Sequence, residues 1–566
     1  MRDFYIVGRL PSCFKLLFFL TLVPVFLAAC GDSSHIDVTD KEIVEKPEEI
    51  NARAEDVIQG TLKDLITSST GIADSLKIRN TGILQFLYEE NSYQPFWSSK
   101  GLFSRNGDSL FALITSAYRY GLFPEDYNIS KLTSQRNQLI ADTSSKDKKL
   151  DASLWAYSDM LLTSAFIQVI KDVKVGRLLP DSVVARDTTL TNEFFSSSLK
   201  QYKQENNDDF VAQFEPQHSD YQKLKNALRS FLDTATFENY TYVRTMDSTQ
   251  IPFYLLKRLG EEDSTIIPGS RPDSLRVADA IKRYQKRWHL KEDGKITATL
   301  VNRLNDTDKE RFIRIAINMD RYKQLQPLPE KYIWVNIPSY YLQLRDSDTV
   351  VLKSRVVVGK PLTKTPIITS AISDMVTYPK WTIPESIIKK EILPGLKKDT
   401  GYTIRRGYTL VDTGGNEINP YMVDWSKYKN SIPYKVVQGS GDDNALGILK
   451  FNFPNKYSVY LHDTNQRYLF SNSSRALSHG CVRVQAWEAL AKYILRNDST
   501  YATNAIPVDS MMSWLATKQK RYIPVRKPIP VFIRYFTCSV NDDKLAFYED
   551  IYGEDRKIRE KIFSNK

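Results

Sequence analysis

The spacing of apolar positions changes along the chain and divides it. Between about residues 50 and 250 they recur at helical intervals. Leu154, Tyr157, Leu161, Leu162, Ala165, Phe166 and Val169 draw one stripe on a helix that Gly176 and Pro180 would close. Tyr93-Gln94-Pro95-Phe96-Trp97 and Gly121-Leu122 are aromatic-rich loop signals, read as core anchors, while 142–149 and 201–209 are polar and read as exposed loops. A compact unit follows. Val277, Ile281, Tyr284 and Trp288 repeat at helical spacing, Asp293-Gly294 makes a turn, and Thr297 can cap a second short helix through Leu300 and Leu304. From Lys331 the period shortens: 332–344, 350–359 and 458–461 are rich in Val, Ile and Tyr and alternate in places, as strands do. Inside this β-rich part, 379–434 differs in character. It carries Lys389-Lys390, Lys397-Lys398 and Arg405-Arg406 with Trp381, Tyr402, Tyr408, Tyr421 and Trp425, so it reads as an ordered insertion, a lid.

These patterns predict a multi-domain α+β chain. A helical scaffold spans 50–255, a small helical module 270–308, a β-rich domain 330–540 and a C-terminal extension 541–566. The length of 566 residues agrees, since one hydrophobic core does not grow that large. The formal charge of +11 is spread along the chain and no basic run is interleaved with aromatics, so nucleic acid is not expected as a partner.

The N-terminus adds a compartment. Arg2, Arg9 and Lys15 lead into an apolar run at 16–29, followed by Cys30 and Gly31-Asp32-Ser33-Ser34. A basic start, a short apolar stretch and small residues read as a cleaved export signal over 1–29. Its end, Leu27-Ala28-Ala29-Cys30, resembles a bacterial lipobox. That resemblance implies Cys30 as a lipid anchor, a flexible polar tether at 30–49, and a protein held to a membrane on the periplasmic side, the outer membrane being expected.

Chemistry concentrates in one stretch. The chain has five histidines and four cysteines, and His462, His479 and Cys481 fall within twenty positions of one another. A thiol near its ordinary pKa supplies little thiolate, and a neighbouring imidazole can take its proton. His462 follows the apolar run 457–461, and the loop 463–480 can bring the chain back to it. Gly480 permits a tight backbone with unhindered amides, as an oxyanion hole requires, and Arg483 suits a carboxylate. Three alternatives compete. Zinc would need three or four ligands, and the spacing of His462, Asp463, His479 and Cys481 matches no common pattern. Structural histidines beside a buried cysteine fit poorly with a polar, turn-like Ser-His-Gly-Cys-Val-Arg, and a papain-like protease has the reverse chain order. A bridge between Cys481 and Cys538 is allowed by export, but sequence cannot pair two cysteines.

His462, fifteen intervening residues and Ser478-His479-Gly480-Cys481-Val482-Arg483 resemble the signature of the L,D-transpeptidase (YkuD-type) catalytic domain. Asn444-Ala445-Leu446-Gly447 and the C-terminal Tyr535-Phe536-Thr537-Cys538 stretch support the likeness. The module around Ala280, Tyr284-Gln285, Leu290, Asp293-Gly294 and Thr297 is similar to a three-helix peptidoglycan-binding domain. The whole arrangement resembles the large multi-domain YcbB-like branch.

The resemblance implies Cys481 as nucleophile and His462 as its base, oriented by a backbone carbonyl beside it, that of Asp463. His479 and Arg483 would position the donor, the Gly480 and Cys481 amides would face the oxyanion, and Ser478 and Tyr460 would assist. Asn444 and Trp381 are further candidates for substrate binding, and Cys538 is incidental. It implies peptidoglycan stem peptides as donor and acceptor, 3→3 cross-linking, acylation by carbapenem-like β-lactams, and no metal or cofactor. The alternatives are an L,D-carboxypeptidase or other hydrolase of the same fold, and a lipid-anchored wall-binding protein without catalysis.

Overall fold

The computed structural model describes residues 41–67, 78–144, 150–178, 189–205, 209–267 and 273–564; the export signal, Cys30 and Pro180 lie outside them. Among the described residues no helix is long and apolar enough to cross a membrane.

Helix Ala152–Lys174 is the axis of the N-terminal region. Asp151 caps it by accepting the Leu154 N–H, and Gly176, at φ 76°, turns the chain away from its end. Its sequence shows one stripe, yet Trp155, Ser158, Asp159, Thr163 and Asp172 are buried along with Leu161 and Phe166. Helices Ile50–Thr67, Thr81–Glu90, Arg105–Thr115 and Ile129–Ser144 surround it, and their number encloses a helix that one neighbour would only half cover. The Trp155 indole nitrogen has no partner, but the acid and the hydroxyls at the centre of the helix are satisfied. Asp159 accepts hydrogen bonds from the Phe96 N–H at 2.8 Å, the Trp97 N–H at 2.8 Å and the Tyr88 hydroxyl at 2.6 Å. The Trp97 indole donates to Thr163 at 2.8 Å.

The end of the expected tether is held rather than free. Ile43–Val44 pairs antiparallel with Leu150–Asp151, Val44 is buried, and the Glu42 N–H donates to Ser153 Oγ, 111 positions away. Two apolar residues in a charged run give no strand signal when their partner is that remote.

The small module is larger than its sequence spacing suggests. Helices Ser274–Arg287 and Ala298–Leu304 share one core with Val243 and helix Ile251–Glu262, so the unit begins before 270 and includes a helix assigned above to the scaffold. Gln285 bridges its turn, accepting from the Gly294 N–H and donating to Asp293, with Gly294 at φ 65°. Val277, Ile281 and Tyr284 face this core, whereas Trp288 lies just past the helix end and is exposed.

The β-rich half is one curled sheet of nine strands: β1 Lys331–Asn336, β2 Tyr341–Asp346, β3 Thr349–Gly359, β4 Ile368–Thr377, β5 Leu449–Asn452, β6 Leu461–His462, β7 Ala476–Ser478, β8 Val482–Val484 and β9 Arg521–Arg534. Their order is β7-β3-β8-β6-β5-β4-β9-β1-β2, and β2 also pairs with β3, so the sheet closes on itself. Its interior is apolar, with Ile333, Val335, Leu342, Val356, Phe451 and Val531 fully buried. Helix Asp308–Lys323 joins this half to the scaffold. Phe312 and Tyr322 pack with Tyr221 and Leu224 on one side and with Trp334, Phe532 and Phe536 on the other. Arg345 of β2 donates to Asp220 of the scaffold helix Ser219–Leu232 at 2.7 Å.

Two expected boundaries move. The insertion is a small folded body: strands Trp381–Thr382, Tyr408–Val411, Glu417–Ile418 and Lys435–Gln438 form a sheet over a core of Ile383, Ile388, Leu396, Trp425 and Val436. It therefore runs to 438, past the expected 434, because its last strand pairs with its first. The C-terminal extension is integral to the β-rich half. Hairpin Cys538–Asn541 with Lys544–Phe547 crosses the 540 boundary, and the following helix Glu554–Ile562 packs on helix Asp308–Lys323.

Candidate active site

Strands β6 and β8 run parallel with Leu461 opposite Val482 and His462 opposite Arg483. The Val482 N–H donates to the Tyr460 carbonyl at 3.1 Å, which continues the pairing backward and sets Tyr460 beside Cys481. Side chains alternate along strands, and Leu461 and Val482 are fully buried in the sheet interior. Tyr460, His462, Cys481 and Arg483 therefore share the opposite face. Register, not loop reach alone, brings the two parts of the motif together. The neighbouring strand β5 pairs Lys450 with His462 and adds a lysine to the same row.

Cys481 is half-buried, and its thiol lies 3.8 Å from the Ser458 carbonyl. Burial pushes the thiol pKa up, while the Tyr460 backbone N–H and hydroxyl, Lys450 and Arg483 oppose that shift. Tyr460 is held as the neutral phenol by its own burial, so its hydroxyl is a donor toward sulfur. His462 is buried, and its pKa is pushed down to about 3, first by burial and then by Arg483; the Asp463 and Leu446 carbonyls favour a proton on the ring, and Lys450 opposes it. The imidazole is thus neutral and able to accept a proton at neutral pH. Its Nδ1 makes no hydrogen bond of good geometry. The thiol bonds the Ser458 carbonyl and not His462, because the residue in register with Cys481 is Tyr460 and His462 stands one position diagonally on.

Three buried nitrogens around this face make no hydrogen bond of good geometry: His462 Nδ1, which faces the Asp463 and Leu446 carbonyls, Trp381 Nε1, which faces Tyr460, and Arg483 Nε. Arg483 is steadied at its other end by Thr464 at 3.2 Å and Gln466 at 2.9 Å. Trp381, on the first strand of the insertion, stands edge-on to Tyr408 and near Tyr460. Buried polar atoms are almost always satisfied, so a cluster left open fits a polar ligand.

The turn that carries the cysteine is tightly bound. Ser478 Oγ donates to the Cys481 carbonyl at 2.6 Å and accepts the Gly480 N–H at 3.1 Å. Gly480 sits at φ 126°, where a side chain is strained. The Gly480 amide is therefore occupied, which corrects its expected role in the oxyanion hole. Thr365 Oγ donates to the Gly480 carbonyl at 2.8 Å, and Tyr552 in turn accepts the Thr365 N–H and donates to the Gly359 carbonyl. His479 points away from His462, toward the insertion, where its Nε2 lies 2.5 Å from Glu391 Oε1.

Two further expectations change. The Asp463 carboxylate accepts the Ile448 N–H and both arms of Arg467, and it fills the space a Cβ at Gly447 would need. Its side chain braces the 444–447 loop, and only its carbonyl faces the imidazole. Asn444 is fully buried, donates to the Gly439 carbonyl at 2.7 Å and accepts the Leu446 N–H at 2.8 Å. Both ends are spent within its own loop, so it does not reach a substrate. Cys481 and Cys538 are both free thiols, and Cys538 is buried in the C-terminal hairpin. Among the described residues no group of three or more His, Cys, Asp or Glu side chains is arranged to hold a metal.

One open space adjoins the turn. On the His479–Gly480 side a trough of about 910 Å³ is lined by Ile367, Tyr457, Val459, Phe532 and Tyr552, with Lys364 at its edge. The insertion reaches this region at two points, through Glu391 to His479 and through Trp381 to Tyr460.

Sequence reasoning picked out the motif but missed four residues. Lys450 lies between Leu449 and Phe451, both buried, and a lone lysine in an apolar strand was its available signal. Glu391 is hidden in a Lys-Lys-Glu run that reads as a solvated helix face, and Thr365 and Tyr552 act over 115 and 193 positions, where local patterns say nothing.

Comparison with known proteins agrees with this geometry. Residues 330–509 match the L,D-transpeptidase catalytic domain of the YkuD family, and residues 83–228 match a family described as Scaffold domain. A Haemophilus influenzae protein assigned by its name to the L,D-transpeptidases is 38% identical over 256 residues, covering 44% of this chain and 50% of its own. The chain thus spans about half the length of this curated relative. The catalytic domain of the Enterococcus faecium L,D-transpeptidase acylated by ertapenem is 13% identical, with TM-score 0.17, and covers 37% of this chain and 100% of its own. An avibactam carbamoyl enzyme has 13% identity, TM-score 0.16 and coverage of 37% and 49%. Within the β-rich half, residues 330–509 are thus similar to YkuD-type L,D-transpeptidase catalytic domains.

Proposed function

We propose that this domain is a peptidoglycan L,D-transpeptidase acting through Cys481. The carrying observation is the β6–β8 register, which sets Cys481, Tyr460, His462 and Arg483 on one face with three unpartnered donors around them. The Cys481 proton passes to His462, and the thiolate attacks the carbonyl at the L-centre of the third residue of a tetrapeptide stem. The carbon–nitrogen bond to the terminal D-alanine breaks, the amine leaves with a proton, and a thioester remains on sulfur. Tyr460 steadies the thiolate through its hydroxyl, and the Cys481 amide is the donor this reading assigns to the oxyanion, since that of Gly480 is taken. An amine of a neighbouring stem then displaces the thiol, giving a 3→3 cross-link and restoring Cys481. Arg483 Nε and Trp381 Nε1 are free to bind the stem's carboxylate and carbonyl groups.

A hydrolase is the second reading, favoured to the extent that water reaches the thioester. The contact of Glu391 with His479 holds the insertion against the cysteine turn and supports exclusion of water. The proposal also includes export, a lipid anchor at Cys30 and a wall-binding role for the module around Tyr284; these rest on the sequence patterns. Intact-mass analysis after exposure to a carbapenem tests the nucleophile: one adduct on Cys481, absent from Cys481→Ala, is expected, and an unmodified wild-type protein would sink the reading. Product analysis on tetrapeptide muropeptides then separates cross-linking from trimming.

A further inference from the structure

We propose that Lys450 is a positioning residue that eases formation of the Cys481 thiolate. Strand β5 sets Lys450 directly opposite His462, and β6 sets His462 opposite Arg483, so two cations flank the imidazole in one row across three strands. The Lys450 ammonium sits 3.9 Å from the centre of the Tyr460 ring, and the hydroxyl of that ring reaches the thiol. Lys450 is half-buried and makes no ion pair within 4 Å among the described residues. Here burial works against the ammonium, and what favours it is the Cys481 sulfur first and Asp374 second.

The same charge acts oppositely on the two members of the pair. A cation near sulfur favours losing the thiol proton, and near His462 it disfavours keeping a proton on the ring. Lys450 thus makes the thiolate easier to form and the imidazolium readier to give its proton to a leaving amine. The other charged or titratable groups facing it are Arg483 and His462 from the neighbouring strands, Asp374 from β4, and Lys380, Lys520 and Tyr522 around the adjoining notch. Lys380 and Lys520 open on that notch, so Lys450 is the lysine of this cluster that stands in register with the site.

This inference rests on Cys481 being the nucleophile, but its test does not need turnover. The full chain is alkylated with iodoacetamide from pH 5 to 10, and the rate at Cys481 is followed by peptide mass, which separates it from Cys538. For Lys450→Met the inflection is expected to rise by about one pH unit, and for Lys450→Arg to stay near wild type. Lys450→Gln is carried in parallel so that one uncharged variant with a wild-type melting curve is read. An unchanged inflection in that folded variant overturns the proposal, as does a rise in Lys450→Arg equal to that in Lys450→Met. A wild-type enzyme that takes no carbapenem adduct would overturn the proposed activity while leaving this titration decisive for Lys450.

Discussion

Two of the places where this chain buries charge treat it differently. In the scaffold, Asp159 is enclosed by helix Ala152–Lys174 and its neighbours, and it is paid in full by two backbone amides and a tyrosine hydroxyl. At the cysteine face, His462, Arg483 and Trp381 each keep a buried nitrogen without a partner, and a lysine is held over an aromatic ring. Burial alone does not mark a working site. Unused polar capacity also occurs in the scaffold, at Trp155, Gln135 and Arg136; at the cysteine face it is gathered around one thiol in a single row of strand positions.

The contrast can be broken by exchanging the losses. His462→Ala is expected to lower acyl transfer about a thousandfold with the melting temperature little changed, because it deletes a proton acceptor and a ring with no bonded Nδ1. Asp159→Ala is expected to do the reverse, costing about 3 kcal/mol of stability in denaturant titration while any protein still folded acylates normally. Equal effects of the two substitutions on stability would dissolve the distinction.

The pH dependence of stability sharpens it. The folded pKa of His462 is about 3, below the ordinary value of 6.5, so between those values the unfolded chain binds more protons. Its contribution is present above pH 6.5 and is lost as pH falls toward 3, on the order of 5 kcal/mol over the window. Urea titrations between pH 4 and 7 should show this slope in the wild type and a shallower one in His462→Gln.

Smaller effects are expected at the rim. Trp381→Phe removes one unpartnered donor and keeps the ring, and a drop of about tenfold in the rate of acylation, without loss of stability, is the expected result. Glu391→Gln weakens a half-exposed contact worth less than about 1 kcal/mol, so stability should hold. The ratio of cross-linked to hydrolysed product should fall a few-fold, and an unchanged ratio would remove the insertion from water control.

Much of the site was legible because its chemistry is local. Ser478 to Arg483 are adjacent in sequence, and His462 closes an apolar strand, so residue types and spacing announce them. Roles were harder to read than membership. Asn444, Asp463 and the Gly480 amide sit near the cysteine, yet each is consumed by hydrogen bonds inside its own loop, and no pattern of residue types shows which end of a side chain is spent. The fold shows the same limit. Helical spacing marked the central scaffold helix but not that it is enclosed on all sides, and the strands Ile43–Val44 and Lys435–Gln438 exist only because distant partners pair with them.

The support of the cysteine turn by Tyr552 bears on how the protein is made. His462 and Cys481 are both in place by residue 481, but the hydroxyl that fixes Thr365 and Gly359 under the turn is synthesised some seventy positions later. A growing chain therefore carries Cys481 on an unsupported turn until the segment around Tyr552 arrives. A chain cut before Tyr552 should keep the thiol and lose much of its aim, so that competence for acylation is conferred only once residue 552 has been made.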